Sequence, residues 1–401
     1  MGATNRRSFL QKAATGSASV AASLTLAGLF PRRIFADNSS SFHRIVYRDL
    51  GSTGFKVSEI GFGAMNMRDP ELVQAAIDSG INYIDTANAY MNGVNEEIIG
   101  KVLKNQRDRV FLTTKVLVKD PKDTSGMIGM METSLKRLQT DHVDLMLLHD
   151  LKSRSTVLNE DFIKVFDQAR KKGICRFVGT STHQNNAEVL DAAVESKFWE
   201  AVLVGYSYVS PPEVKASIEK ARKAGIAIIA MKSLLNPVNL ASWQWNPIKD
   251  IRKDRNDKIT STQALLKWVL DDPYIDTIIP GMTTFEQLAE DVGVMGMKMS
   301  FEDHRILNRY GENIKTHYCC GVAGCTGCQN QCPRGVRVND LNRCLGYAYG
   351  YGNFDLAMEN YARLPKSSRI DACFNCTECV VKCVNGLNIT QNIKRAKELF
   401  A

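Results

Sequence analysis

Between residues 60 and 292 the chain alternates eight short apolar runs with eight segments of helical periodicity, and this regular alternation limits the fold more than any other feature. The runs are Ile60–Gly63, Ile81–Asp85, Val110–Lys115, Val143–His149, Phe177–Thr180, Ala201–Val204, Ile226–Met231 and Ile275–Pro280. Short and continuously apolar, they read as strands buried on both faces, as parallel strands are. Between and after them, Pro70–Ser79, Glu96–Lys104, Gly126–Leu138, Phe162–Lys171, Ala187–Ser196, Pro212–Ala224, Thr262–Leu270 and Thr284–Val292 are predicted helices. Units of about thirty residues suit an α/β chain, either a doubly wound sheet or a (β/α)8 barrel, and periodicity alone does not choose. In either case the strands run parallel and their carboxyl ends share one rim. Gly51 and Gly54 lie between short apolar segments in Tyr47–Lys56, which reads as a hairpin plugging the opposite end.

Three successive strands end in polar groups. Asp85 closes the second, with Tyr90 five residues on; Lys115 closes the third and His149 the fourth. A carbonyl that accepts hydride needs a proton on its oxygen, and a phenol of pKa about 10 supplies it better when a cation lowers that value. Lys115 is the expected cation, Asp85 its anchor, and His149 the group that orients the carbonyl.

In chain order and spacing the set Asp85, Tyr90, Lys115, His149 resembles the catalytic residues of the aldo-keto reductases, and the resemblance extends over roughly residues 45 to 297. It implies a TIM barrel and a nicotinamide cofactor. No Gly-x-Gly-x-x-Gly follows the first strand, so a Rossmann reading is weak. By resemblance, the turn holding Gly63 and Met65 lies under the nicotinamide ribose, Ser181 and Thr182 stand where the family's Ser-Asn pair holds the carboxamide, and Met231 replaces a stacking aromatic, followed by Lys232. Leu203 stands where a Gln is common. Gly281, Thr283, Gln287 and Asp291 match the phosphate- and adenine-binding helix start, where backbone N–H groups meet an anion. Gly281 and Gln287 occupy places where NADP-preferring relatives often carry cations, which leaves NADP or NAD open. The stretch Leu234–Lys258, with Trp243 and Trp245, reads as a rim loop that closes over a ligand or is pinned to the barrel.

Ten of the eleven cysteines follow residue 318. Cys325-x2-Cys328-x3-Cys332-Pro333 and Cys373-x2-Cys376-x2-Cys379-x3-Cys383 resemble bacterial ferredoxin motifs, in which the last cysteine of each array ligates the other cluster. By that resemblance one [4Fe-4S] cluster takes Cys332, Cys373, Cys376 and Cys379. A second takes Cys325, Cys328, Cys383 and either Cys320 or Cys319, because Val322 stands where a leading cysteine belongs. A structural zinc site is the alternative. Cys175 and Cys344 read as packing residues.

Five of the net eight positive charges sit in the first 36 residues, which contain no acid. The balance therefore belongs to a targeting segment and not to a nucleic-acid surface. Asn5-Arg6-Arg7-Ser8-Phe9-Leu10 resembles a twin-arginine export signal, and the weakly apolar run after it suits a signal peptide better than a membrane span. Thiols threaded unfolded into an oxidising compartment would form disulfides, so clusters built in the cytoplasm call for export of a folded protein to the periplasm. The expected organisation is a signal at 1–36, a barrel at 45–315 and an iron-sulfur unit at 316–401, with no membrane span in the mature chain. The expected function is an oxidoreductase acting on a carbonyl or alcohol, its clusters serving a redox partner protein or small carrier. An exported enzyme has no soluble nicotinamide pool, so the cofactor is expected to be retained. The alternative is an electron-transfer or binding subunit whose barrel has lost its nucleotide, a reading fed by Thr182, Leu203 and Met231.

Overall fold

A computed structural model describes residues 45–118, 124–234, 260–314, 319–323, 325, 327–328, 330–350, 353–376 and 378–400. The export-signal reading and the loop beyond Leu234, including both tryptophans, fall outside these residues. Ten strands are described: β1 Tyr47–Asp49, β2 Lys56–Ser58, β3 Phe62–Gly63, β4 Tyr83–Asp85, β5 Phe111–Val116, β6 Val143–Leu148, β7 Cys175–Thr182, β8 Ala201–Gly205, β9 Ala227–Met231 and β10 Thr277–Ile278. From β3 to β10 each strand pairs in parallel with the next. The ends meet as well. Gly61 N donates to Ile278 O at 2.8 Å, Ile278 N to Glu59 O at 3.0 Å, and Gly63 N to Pro280 O at 3.1 Å, so β10 returns to β3 and the sheet closes. A barrel, and not an open doubly wound sheet, is therefore what the alternation encodes.

Every predicted strand forms, but the two at the seam are shorter than their apolar runs. Pro280 has no N–H with which to extend β10, and Ile60 contributes only an isolated bridge to Ile278. A side chain at Gly63 would lie 2.7 Å from the carbonyl oxygens of Ile279 and Pro280, so glycine is what permits this close approach. All eight predicted helices form within about two residues of their expected ends. Asp69, Asn159, Thr260 and Thr284 cap four of them by accepting backbone N–H groups. A further helix, Phe301–Ile314, lies beyond the repeats and was not legible in them.

Strands β5 and β6 are buried at every position, because one face fills the barrel and the other meets the helices. The interior is packed by Leu50, Tyr83, Phe111, Leu145, Leu147, Leu203 and Ile229. The β1–β2 hairpin plugs the amino end, as expected: Gly51 N bonds the Asp276 carboxylate at 2.9 Å, Ser52 N bonds Gly225 O at 2.9 Å, and Phe55 meets Phe111 edge-on at 5.2 Å. With that end closed, the carboxyl rim is the open face.

Beyond residue 336 a separate buried cluster forms from Val338–Leu345, Phe354–Ala362 and Ile389–Phe400, with Tyr361 stacked on Phe400 at 4.3 Å. This tail docks on the barrel rim. Gln184 donates to Asp340, Arg337 Nη2 to Gln184 Oε1 at 3.1 Å, and Asn353 Nδ2 to Asn66 Oδ1 at 2.8 Å. Among the described residues no helix is long and apolar enough to cross a membrane.

Candidate active site

Asp85 ends β4 and Lys115 lies near the end of β5, on adjacent strands registered so that Asp85 faces Thr113. Lys115 Nζ lies 2.5 Å from Asp85 Oδ1 and 2.7 Å from Thr86 O, and it donates to Tyr90 OH at 3.2 Å. Lys115 is 1% exposed, so a cation sits in the barrel mouth almost wholly removed from water. Burial acts to lower its pKa, but Asp85, then Tyr90, outweigh it and raise the value, which keeps the ammonium charged. A buried network holds the pair in place. Thr86 Oγ1 donates to Asn95 Oδ1 at 2.7 Å, and Asn95 Nδ2 donates to Ala64 O at 2.7 Å.

Tyr90 opens a 3-10 turn in which Met91 and Asn92 have φ of 50° and 54°, a left-handed conformation that costs energy in non-glycine residues. Gly93, at φ 94°, closes the turn where any side chain would collide with the Arg137 guanidinium. Against the expectation from sequence, the phenol pKa is raised, not lowered. Desolvation is the largest contribution, and Lys115 opposes it without overcoming it. Tyr90 is thus a neutral proton donor polarised by a cation, not a phenol poised to ionise.

His149 follows β6, its backbone N bonding Val116 O at 3.0 Å, and its ring lies edge-on to Tyr90 at 6.0 Å. Its Nδ1 is buried without a hydrogen-bond partner. Burial, then Lys115, lowers the imidazole pKa from 6.5 to about 3, so the ring is neutral and one nitrogen carries a donor hydrogen. Between those two values the unfolded chain binds more protons than the folded one. Stability is therefore full above about pH 6.5 and is lost as pH falls toward 3. His149→Gln is expected to flatten this acid limb. Urea unfolding of both proteins at pH 7 and pH 4.5 checks it, and an equal loss in the variant would count against the assignment.

Asp85, Tyr90 and His149 line one cavity of about 1310 Å³, with Lys115 buried behind them. Of the expected cofactor residues, Gly63, Met65, Met231, Lys232, Gly281, Thr283 and Gln287 line it. Ser181, Thr182 and Asp291 are not among the lining residues. Ser181 Oγ accepts from Asp150 N at 3.0 Å, Thr182 Oγ1 bonds Gln184 O at 2.5 Å, and Asp291 is 2% exposed with a carboxyl raised well above its usual range by burial and Glu290. As the side chains stand, they fix loops or pack instead of meeting a ligand. At the seam, Gly281 leaves open the space a Cβ would fill, beside Thr283 and Gln287, which suits the phosphates of a nicotinamide cofactor. His183 and the tail residues Arg337, Arg343, Tyr347, Asn353 and Arg363 also line it. None of these was signalled by a motif, because residues more than 150 positions apart meet here only through folding.

The cysteines of the tail act on one another electrostatically. Burial raises the Cys373 thiol, and Cys332, Cys376 and Cys379 raise it further, so these four lie in one neighbourhood. Burial, then Cys383 and Cys325, push Cys328 up to about 11. Burial also raises Cys319, with Cys320, Cys328 and Cys325 adding to it. Asn385 Nδ2 reaches Cys325 Sγ at 3.8 Å. Among the described residues no three His, Cys, Asp or Glu side chains converge closely enough to hold a metal ion.

The model of the aldo/keto reductase family matches residues 59–312. YrpG, an oxidoreductase of Bacillus subtilis, is 29% identical over 315 residues, covering 65% of this chain and 94% of its own. Methylglyoxal reductase DkgB of Salmonella typhi is 26% identical, covering 62% and 90%. An aldo-keto reductase from Klebsiella pneumoniae, solved in complex with NADPH, superposes with a TM-score of 0.54 at 25% identity, over 66% of this chain and 95% of that one.

Proposed function

The chain belongs to the aldo/keto reductase family and is an oxidoreductase, and from that premise we propose that it moves hydride between NADP or NAD and a small carbonyl or alcohol substrate. The observation that carries this reading is the contact chain Asp85–Lys115–Tyr90 beside His149 at the mouth of one cavity. A nicotinamide held against Gly63, Met65 and Met231 would supply the hydride, with Gly281, Thr283 and Gln287 toward its phosphates. The protein's own groups do the rest. Because Lys115 donates to Tyr90 OH, the phenolic hydrogen is directed away from the ammonium and is available to a carbonyl oxygen. As that oxygen gains charge the proton passes from Tyr90, and Lys115 stabilises the phenolate left behind. Neutral His149 donates to the same oxygen and fixes its orientation. Support for NADP comes from the Klebsiella enzyme solved with NADPH, and for carbonyl substrates from the methylglyoxal reductase relative. The intact set of four weighs against a barrel that has lost catalysis, despite the departures at Thr182 and Leu203. The test is NADPH deuterated at C4, incubated with the full-length protein and small aldehydes: deuterium in the product alcohol is the expected result, and unlabelled aldehyde with unconsumed NADPH overturns it.

The cysteine-rich tail, in the same reading, holds two [4Fe-4S] clusters: Cys332 with Cys373, Cys376 and Cys379, and Cys325, Cys328 and Cys383 with Cys319 or Cys320. Such clusters would supply one-electron transfer to a partner protein or small carrier. The mutual electrostatics of the thiols support the grouping. The twin-arginine pattern around Arg6 and Arg7 supports export in the folded state and work in the periplasm.

A further inference from the structure

Arg343 lies in the tail helix Val338–Leu345, is 7% exposed, and forms part of the wall of the catalytic cavity. Its Nη2 pairs with Asp340 Oδ1 at 3.0 Å, but Nε and Nη1 are buried with no hydrogen-bond partner. Asp340, fully buried, is already shared. Arg337 Nε lies 2.5 Å from its Oδ2, and Gln184 also donates to Oδ1. One carboxylate thus serves two guanidinium groups, and Asp150, which also acts on Arg343, is paired with Lys152 at 3.3 Å through one oxygen, the other being buried without a hydrogen bond. Two N–H-bearing nitrogens of Arg343 remain unanswered. Buried donors without acceptors are rare enough to need a cause. The wider wall points the same way. Arg68, Lys152, Lys232, Arg337, Arg343 and Arg363 face only four carboxylates among the lining residues.

We propose that Arg343, carried over the barrel rim by the tail, is the receptor for a carboxylate on the substrate, so that the enzyme acts on carbonyl compounds bearing an anionic group a few bonds from the reacting carbon. This rests on the hydride-transfer reading of the same cavity. The planar guanidinium suits bidentate carboxylate recognition. Both unpaired nitrogens lie beneath the lining, so the anion engages them as the guanidinium turns outward from Asp340. A phosphate of the cofactor has the same chemistry, but the topology separates the two. Arg343 acts on His183 and Asp150, which follow β7 and β6, whereas Gly281, Thr283 and Gln287 follow β10. In the order β10-β9-β8-β7-β6-β5-β4-β3, closed between its ends, β6 stands opposite β10. The cation is therefore at the end of the cavity that holds His149, away from the phosphate end.

The test uses full-length protein and two probes of equal chain length, 4-oxobutanoate and butanal, with succinate as a non-reacting ligand. Arg343→Met is expected to raise KM for 4-oxobutanoate by about 10- to 100-fold, the cost of removing a buried charged partner, with a much smaller effect on butanal and on NADPH affinity. Calorimetric titration of succinate into NADP-loaded wild type should show binding that Arg343→Met loses. Equal effects on both aldehydes, or succinate binding that ignores the substitution, overturns the proposal. Weakened NADPH binding with 4-oxobutanoate unaffected would overturn it too, giving the site to a cofactor phosphate. Should circular dichroism show Arg343→Met unfolded, Arg343→Lys decides: it keeps the charge and the stem but not the paired donors, so preference for 4-oxobutanoate over butanal falls if the proposal holds and stays if it does not. Succinate binding needs no turnover, so the two readings fail separately. Wild type that binds succinate through Arg343 yet reduces neither aldehyde sinks the reaction alone, and wild type that reduces butanal but binds no succinate sinks the anion site alone.

Discussion

Tyr90→Phe is expected to lower kcat for carbonyl reduction by about 10²- to 10⁴-fold, the usual worth of a positioned acid. The substitution deletes one oxygen and nothing else. Lys115 keeps Asp85 and Thr86 O as partners, so the ammonium is not stranded, and the Tyr90 turn keeps its backbone bond from Tyr90 N to Ala87 O and the bond from Arg137 Nη1 to Asn88 O. Nucleotide affinity should therefore stay within about twofold of wild type, since an interaction made mainly in the transition state affects kcat and not ground-state binding. Stopped-flow measurement of NADPH consumption, with NADPH fluorescence titration alongside, reads both quantities. Wild-type turnover in the variant would remove Tyr90 from the chemistry. Because burial raises the phenol's pKa, activity should also persist well above neutral pH instead of falling as an acidified tyrosine would.

Cys373→Ser should reduce the iron content from about eight to about four atoms per chain, since a [4Fe-4S] cluster stands or falls with its thiolate set. Cys373 is the choice because it is buried and its thiol is raised by Cys332, Cys376 and Cys379 together. In addition, Lys397 anchors its carbonyl at 2.9 Å, so the backbone should keep its place when the sulfur is lost. Iron and sulfide analysis of protein purified without oxygen, from wild type and variant in parallel, reads the result. Stoichiometric zinc without iron in wild type would replace the clusters with a structural metal. An unchanged iron count in the variant would break the proposed grouping. Four irons in each of the two proteins would mean a single cluster that Cys373 does not ligate.

The alternation of parallel strands and helices was legible in the sequence because its information is local and repeated, whereas the choice of a barrel rested on the resemblance carried by Asp85, Tyr90, Lys115 and His149. Buried parallel strands demand apolar runs, amphipathic helices demand a 3.6-residue period, and the two alternate eight times. Asp85, Lys115 and His149 were legible for the same reason: a parallel barrel turns the strand order of the chain into neighbours on one rim. What local pattern does not carry is the balance of energies at one point or the meeting of distant segments. Whether Lys115 or burial controls the Tyr90 phenol depends on how much water the folded rim excludes, and exclusion wins. Whether Ser181 and Thr182 face a ligand depends on which backbone groups compete for their hydroxyls, and neighbouring loops take them. The placement of Arg343 beside His183 and Asp150 joins parts of the chain separated by more than 150 residues. It follows from docking the tail through Gln184 and Asp340, and only a closed tertiary structure can bring a buried cation to that rim.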